Sequence, residues 1–236
     1  MLELLKNKKI LLVVAHPDDE ILGVGATMHK LINENNCIVK VIILGEGLTS
    51  RSDRRNTKEW EKELDIHRKN IYDAQKQICF DSVSIYDFPD NRFDSVALLD
   101  MVKMIEKEKQ EFKPEIIFTH HYGDLNIDHQ KTYEAVITAT RPMKEEIVKT
   151  IITFETPSAS EWNFGSNKSF IPNFWIEISA ENLKAKQDAM DCYEFETRDY
   201  PHPRSNKALK VLAEKRGVEV GLNMAESFNL IRSLQK

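Results

Sequence analysis

A doubly wound α/β architecture with a mostly parallel sheet is the fold this sequence predicts, and three observations carry it. Residues 10–15 (I-L-L-V-V-A) form a continuous apolar run rich in β-branched side chains, the mark of a strand buried on both faces. Comparable runs recur at 37–44 (C-I-V-K-V-I-I-L) and 115–119 (E-I-I-F-T). Between them stand stretches with helical spacing of apolar residues, so strand and helix alternate along the chain. No repeat, low-complexity tract or linker interrupts this order. The expectation is one three-layer Rossmann-like domain over residues 1–236.

Taken in order, the first strand is followed by a helix over about 21–31 and a second strand at 37–44. Gly45 and Gly47 then allow a sharp turn, and Arg51 emerges beyond them at the same sheet edge as the end of the first strand. A long charged helix is expected over 57–77, with a thin apolar stripe at Trp60, Leu64, Ile71 and Ala74. His67 on it reads as a surface residue. A short strand at 82–86 delivers the turn Asp87–Arg92, whose Asp90, Asn91 and Arg92 are placed to touch a ligand. An amphipathic helix over 98–109 and the strand at 115–119 follow. Beyond a helix at 128–140 come strands at 148–154 and 173–178, helices at 183–193 and 207–216, and a last short helix after 221–228.

Two strand ends concentrate chemistry. The first strand stops at His16-Pro17-Asp18-Asp19-Glu20, where strand meets helix and where open α/β sheets bind ligands. His16 and Asp19 can point at one ion, which leaves Asp18 free to act as a base. A plain helix cap would need only one short acidic residue there. The strand at 115–119 delivers His120, His121, Asp124, Asp128 and His129 within ten residues, which is hard to explain as packing. Gly23 and Gly25 invite a dinucleotide-binding reading, but Met28 stands where a third glycine belongs, and the acidic loop would repel a pyrophosphate.

Composition narrows the partners. With 41% hydrophobic and 30% charged residues and a net charge of −5, the chain has no basic footprint for nucleic acid. No apolar run approaches the length of a membrane span, and the first nine residues are too short and polar for a signal peptide. Cys37, Cys79 and Cys192 are odd in number and widely spaced, which fits reduced thiols in a cytoplasm.

A-H-P-D-D-E, together with the downstream Asp128-His129, resembles the motif pair of the PIG-L/LmbE-like family, zinc-dependent deacetylases of N-acetylglucosaminyl and related amino-sugar compounds. The resemblance implies an LmbE-like domain with His16, Asp19 and His129 as metal ligands and Asp18 as general base. It favours Arg51 as a substrate contact and extends to the P-H-P-R turn at 201–204 and the A-E-S-F segment at 225–228. His120 and Asp128 would stand behind the ligands. Relatives often carry a histidine three residues before the last ligand, where this chain has Asn126. The general acid is therefore left open among His120, His121, His202 and Asp18. His202, held between two prolines, is favoured. Arg51, Arg92, His121 and Asn126 are the expected substrate contacts.

The chemistry that follows is hydrolysis. An ion held by two imidazoles and a carboxylate keeps a position open for water and lowers its pKa from 15.7 to about 7. One Zn²⁺ per chain suits that donor set, and Fe²⁺ would accept it too. The expected substrate is a small acetylated amino-sugar or its conjugate. Two other classes stay open: hydrolysis of another ester or phosphoester bond, and a non-catalytic sugar- or metal-binding module. Homo-oligomerisation is left open.

Overall fold

Strict alternation along β1 (Lys9–Val14) builds the protein outward from its centre. Ile10, Leu12 and Val14 enter one hydrophobic core, while Leu11, Val13 and the following Ala15 enter the other. Successive strand side chains leave opposite faces, so a run apolar at every position must be covered on both. All six are fully buried, and each large one contributes roughly 1.5–3 kcal/mol. The computed structural model describes residues 4–234.

Around β1 lie β2 (Ile38–Gly45), β3 (Ser82–Phe88), β4 (Ile116–His120), β5 (Thr150–Phe154), β6 (Phe174–Glu177) and β7 (Ala225–Ser233). They form a single sheet in the order β3-β2-β1-β4-β5-β7-β6. The first five strands are parallel, β7 runs antiparallel to β5, and β6 antiparallel to β7. Helices α1 (Asp19–Asn35), α2 (Glu61–Ile78) and α5 (Ala180–Asp191) pack together on one face, and α3 (Leu98–Phe112) and α4 (Ile127–Ala139) on the other. α6 (Asn206–Val218) leans on β7 and β6. The chain is thus a single three-layer α/β domain with a mostly parallel sheet, as its sequence predicts.

Two sequence expectations are corrected here. The segment after residue 221 forms no helix: Ala225–Ser233 is a strand. Phe228 and Leu230 pack into one core and Ile231 into the other, a period-two pattern satisfied only by pairing between β5 and β6. His67 does not lie on the surface either. It is 2% exposed and meets Tyr193 edge-on at 5.7 Å. Gly23 owes its place to packing, since a Cβ there would lie 2.2 Å from the Phe154 ring, so α1 could not sit so close to β5.

Candidate metal centre and active site

β1 is the strand at which the sheet changes direction, with β2 on one side and β4 on the other. The loops after β1 and β4 therefore leave the carboxyl edge side by side and frame a crevice. His16–Asp19 enters it from the first loop, and Asp124–His129 from the second. Asp18 makes the turn into α1 with φ of +98°, a conformation costing a non-glycine residue on the order of 1–3 kcal/mol. Its carboxylate makes no capping bond. The main chain bends at Asp18, and the carboxylate that results is aimed elsewhere.

Three side chains converge. His16 Nδ1 stands 3.5 Å and His129 Nε2 3.3 Å from Asp19 Oδ2, and one ligand atom from each residue falls within 4.8 Å of the others. The far nitrogen of each imidazole faces a carboxylate. His16 Nε2 donates to Asp128 Oδ2 at 2.8 Å, and His129 Nδ1 lies 3.2 Å from Asp124 Oδ2. The Asp128 contact sets the tautomer of His16, the Asp124 charge sits behind His129, and the other nitrogen of each ring faces the Asp19 oxygen. Asp128 is itself held by the backbone N–H groups of Asn91 and Phe93. Such convergence of electron pairs in a buried place asks for a positive charge between them. The same demand shows in titration: although burial opposes it, Asp19 and Asp124 raise His129 to about 9, and Asp128 and Asp19 raise His16. The donor set fits a divalent ion held by His16, Asp19 and His129.

His120 lies against that set, its Nε2 3.4 Å from the same Asp19 oxygen, and with Asp124 and His129 it forms a second group of ligand-capable atoms. Its Nε2 accepts the Ala15 N–H at 3.0 Å, and its Nδ1 reaches Thr156 Oγ1 at 3.1 Å. With both nitrogens engaged and the ring stacked 3.9 Å from His129, it orients the ligand ring. Burial lowers its pKa to about 4, so it is neutral there.

Asp18 faces the open cleft, a cavity of about 180 Å³ also lined by Arg51, Asp90, Asn126, Glu196 and Arg204. Arg204 Nη1 donates to Asp18 Oδ2 at 2.9 Å and to Glu196 Oε2 at 2.6 Å, and its Nε donates to Ser158 Oγ at 2.8 Å. Arg51 reaches the other oxygen of Glu196. Burial pushes the Asp18 carboxyl well above the usual carboxylate range, with Arg204 pulling the other way. Asn126 caps α4 by accepting from the Asp128 N–H at 2.8 Å, and lines the cleft as well.

Three residues named from sequence do not line this cleft. Asn91 turns the chain with φ of +53°, so Arg92 leaves in the opposite direction and reaches back toward the Asp53 carbonyl. His121 follows His120 and faces away, donating from Nε2 to the Lys168 carbonyl at 2.9 Å. His202 accepts the Arg204 N–H on Nδ1 and rests edge-on against Trp162 at 5.6 Å. Burial and the flanking arginines lower its pKa, which disfavours a proton on it. The P-H-P-R turn delivers its arginine to the site, not its histidine. Asp124, Glu196 and Arg204 were passed over in sequence. Asp124 and Arg204 sat within segments already singled out, whereas nothing in the chain marks Glu196.

Fold and crevice together define an α/β domain with a His/Asp cluster of metal-ligand geometry at the switch point of its sheet. Residues 11–140 match the model of the PIG-L family, GlcNAc-PI de-N-acetylase, and the chain belongs to that family. It is 27% identical over 190 residues to the uncharacterized deacetylase YaiS of Escherichia coli K12, covering 78% of this chain and 90% of that one. Its fold is similar to that of N,N'-diacetylchitobiose deacetylase from Pyrococcus horikoshii, with a TM-score of 0.74 at 17% identity over 95% of this chain and 84% of that one. It is equally similar to GalB, the 4-carboxy-2-hydroxymuconate hydratase of Pseudomonas putida KT2440, with a TM-score of 0.73 at 20% identity over 97% and 98% of the two chains. One fold here carries two reactions, so the reaction must be argued from the site.

Proposed function

We propose that this protein is a metal-dependent N-deacetylase that removes the acetyl group from an amino-sugar-containing substrate by attack of water on the amide. The observation that carries this reading is the Asp19 oxygen faced by His16 Nδ1 and His129 Nε2, with a buried Asp18 beside it that is neither cap nor ligand. A metal-binding module without catalysis would have no use for a strained, desolvated carboxylate there. His16, Asp19 and His129 would hold the ion. Two imidazoles favour Zn²⁺, and Fe²⁺ accepts the same set. When bound, such an ion acidifies water and polarises the scissile carbonyl.

The chain's own residues do the rest. Asp18, whose carboxyl burial raises above the usual carboxylate range, takes a proton from the attacking water as general base. Arg204 fixes that carboxylate and places a positive charge where the tetrahedral oxyanion develops. Asn126, its oxygen tied down by the Asp128 N–H, leaves its amide nitrogen free to donate to the substrate. Arg51 and Asp90 line the same cleft and orient the sugar. An amide cannot donate a proton to the leaving amine, and His202 stands outside the cleft, so Asp18 returns the proton it took.

Among the described residues no helix is long and apolar enough to cross a membrane. The three free cysteines fit a reducing compartment, and we place the protein in the cytoplasm. Acetate release from a panel of acetylated amino-sugars, followed by mass spectrometry, tests the reaction. Activity should vanish with a chelator and with Asp18→Asn, and return with Zn²⁺ in the wild type only. Release of phosphate from phosphoesters without release of acetate would overturn it.

A further inference from the structure

Asp18 is held in a conformation that its residue type disfavours, and the contacts that enforce it lead away from the cleft into the core. Its φ of +98° belongs to the region glycine prefers, and a non-glycine residue stays there only where its surroundings over-determine it. On one side, the Asp18 carbonyl accepts the Ile21 and Leu22 N–H groups at 3.0 and 2.8 Å, which fixes it to the start of α1. On the other, the Asp18 N–H donates to Glu20 Oε2 at 3.1 Å. Glu20 Oε1 in turn accepts the Tyr193 hydroxyl at 2.5 Å, from a residue 173 positions later in the chain.

Helix capping does not account for this pair. A glutamate in the first turn of a helix ordinarily reaches back to a backbone N–H from the solvent side and favours the helix dipole. Glu20 is buried instead, and Tyr193 is completely so. Taking a carboxyl group out of water is costly unless hydrogen bonds replace its hydration. Here its two oxygens are divided between the Asp18 N–H and the Tyr193 hydroxyl. A cap needs the first of these bonds and has no need of a tyrosine from beyond α5. The second bond ties the Asp18 main chain to the core.

Tyr193 is itself fixed. Its ring meets His67 edge-on at 5.7 Å, and its carbonyl accepts the N–H groups of Glu196 and Thr197 at 2.9 and 3.0 Å, which closes a turn. That turn carries Glu196, and Glu196 reaches Asp18 by a second route. Its Oε2 accepts Arg204 Nη1 at 2.6 Å, and the same nitrogen donates to Asp18 Oδ2 at 2.9 Å. One short turn, 193–196, therefore fixes Asp18 at both ends: the main chain through Glu20 and the carboxylate through Arg204.

Resting on the deacetylase reading, in which Asp18 is the general base, we infer that Glu20 and Tyr193 are positioning residues of that base. They hold the Asp18 peptide in its left-handed turn so that the carboxylate meets the attacking water. Neither residue lines the cleft, so neither contributes to substrate binding. Misplacing a reacting group by about 1 Å costs on the order of 10²-fold in rate, and the loss of either residue should appear in kcat.

The test measures acetate release from N-acetylglucosamine and its methyl glycoside by zinc-loaded protein, together with hydrogen exchange at the Asp18 amide. Tyr193→Phe keeps the ring against His67 and removes only the hydroxyl. It should lower kcat about tenfold, with KM and zinc content unchanged. Glu20→Ala, which also leaves the Asp18 N–H without its acceptor, should lower kcat about 100-fold. Glu20→Gln should recover most of that loss, because its amide still offers an oxygen to the Asp18 N–H and an NH₂ to the Tyr193 oxygen. Tyr193→Phe combined with Arg204→Met should cost less than the product of the two single effects, since both act on one carboxylate. Exchange at the Asp18 amide should quicken about tenfold in Tyr193→Phe and more in Glu20→Ala. Variants that only melt earlier, with kcat per bound zinc unchanged, would overturn the proposal and leave the pair a role in stability alone. Wild-type protein that releases no acetate would fault the reaction instead. Exchange at Asp18 would then decide separately, with unchanged rates in both variants overturning the positioning and quickened rates upholding it.

Discussion

Arg204 donates to Asp18 across 2.9 Å, joining a turn near the end of the chain to a residue 186 positions earlier. The pair decides what kind of base Asp18 is. Burial favours the protonated carboxyl, and the guanidinium beside it pulls the other way, toward the ionised form that can accept a proton. Arg204→Met should therefore lower kcat by roughly two to three orders of magnitude while leaving zinc bound, in line with the loss of one preorganised donor. Arg204→Lys should recover only part, because an ammonium cannot serve Asp18, Glu196 and Ser158 together as the guanidinium does. Steady-state kinetics with zinc analysis on both variants checks this. Full activity in the methionine variant would remove Arg204 from the mechanism.

Metal affinity should depend on residues that never touch the ion. His16→Ala, Asp19→Ala and His129→Ala should each abolish stoichiometric zinc. Asp128→Asn and Asp124→Asn weaken the carboxylates behind His16 and His129 and should loosen zinc about 10–100-fold. Asp18→Asn should bind it normally. Competition with a chromophoric chelator ranks all six. Full zinc in His129→Ala would sink the ligand assignment, and unchanged affinity in both Asn variants at 124 and 128 would deny the carboxylates their role.

The parts of this site legible in sequence were those where local order does the placing. His16–Asp19 directly follows a strand apolar at every position, so its location at the sheet edge follows from β1 alone. Asp128-His129 opens α4, and strand order then brings it beside β1. Arg204 and Glu196 could not be read the same way, because they arrive through the tertiary path of the chain after α5. His67 was misjudged because α2 is charged almost all round: one buried imidazole hardly alters its average pattern, yet it marks the contact with Tyr193. The last strand was misread because Ala225–Ser227 is small and polar. Only pairing between β5 and β6 shows that Phe228 belongs to the core.

His202→Gln tests the position of the general acid. The imidazole accepts the Arg204 N–H and rests edge-on against Trp162, outside the cleft. Its replacement should cost less than tenfold in kcat, through a small displacement of Arg204, and should leave the basic limb of the pH–rate profile in place. Asp18→Asn should lose several orders of magnitude, because one carboxylate then serves both proton transfers. If His202→Gln instead removed the basic limb, the histidine would have to move into the cleft on substrate binding, and Asp18 would be the base alone.

Acid stability follows from His67. Burial is the leading cause that lowers its pKa to about 4, with the nearby Arg51 charge adding to it. The unfolded chain holds this histidine near 6.5 and so binds more protons than the native state between those two values. Stability must then rise with pH across that window: it is fully present above about 6.5 and is lost as pH falls toward 4. The difference corresponds to a contribution on the order of 3 kcal/mol. His67→Phe keeps an aromatic ring against Tyr193 and removes the titration. Its melting temperature should fall less steeply than that of the wild type between pH 6.5 and 4.5, in metal-free protein. His120, lowered for the same first reason, contributes with the same sign, whereas Asp18 and Glu20, raised by burial, contribute with the opposite sign, so the difference between the two curves isolates His67. Parallel curves for the two proteins would mean that His67 binds protons alike in the folded and unfolded chain, so its burial leaves its pKa unshifted.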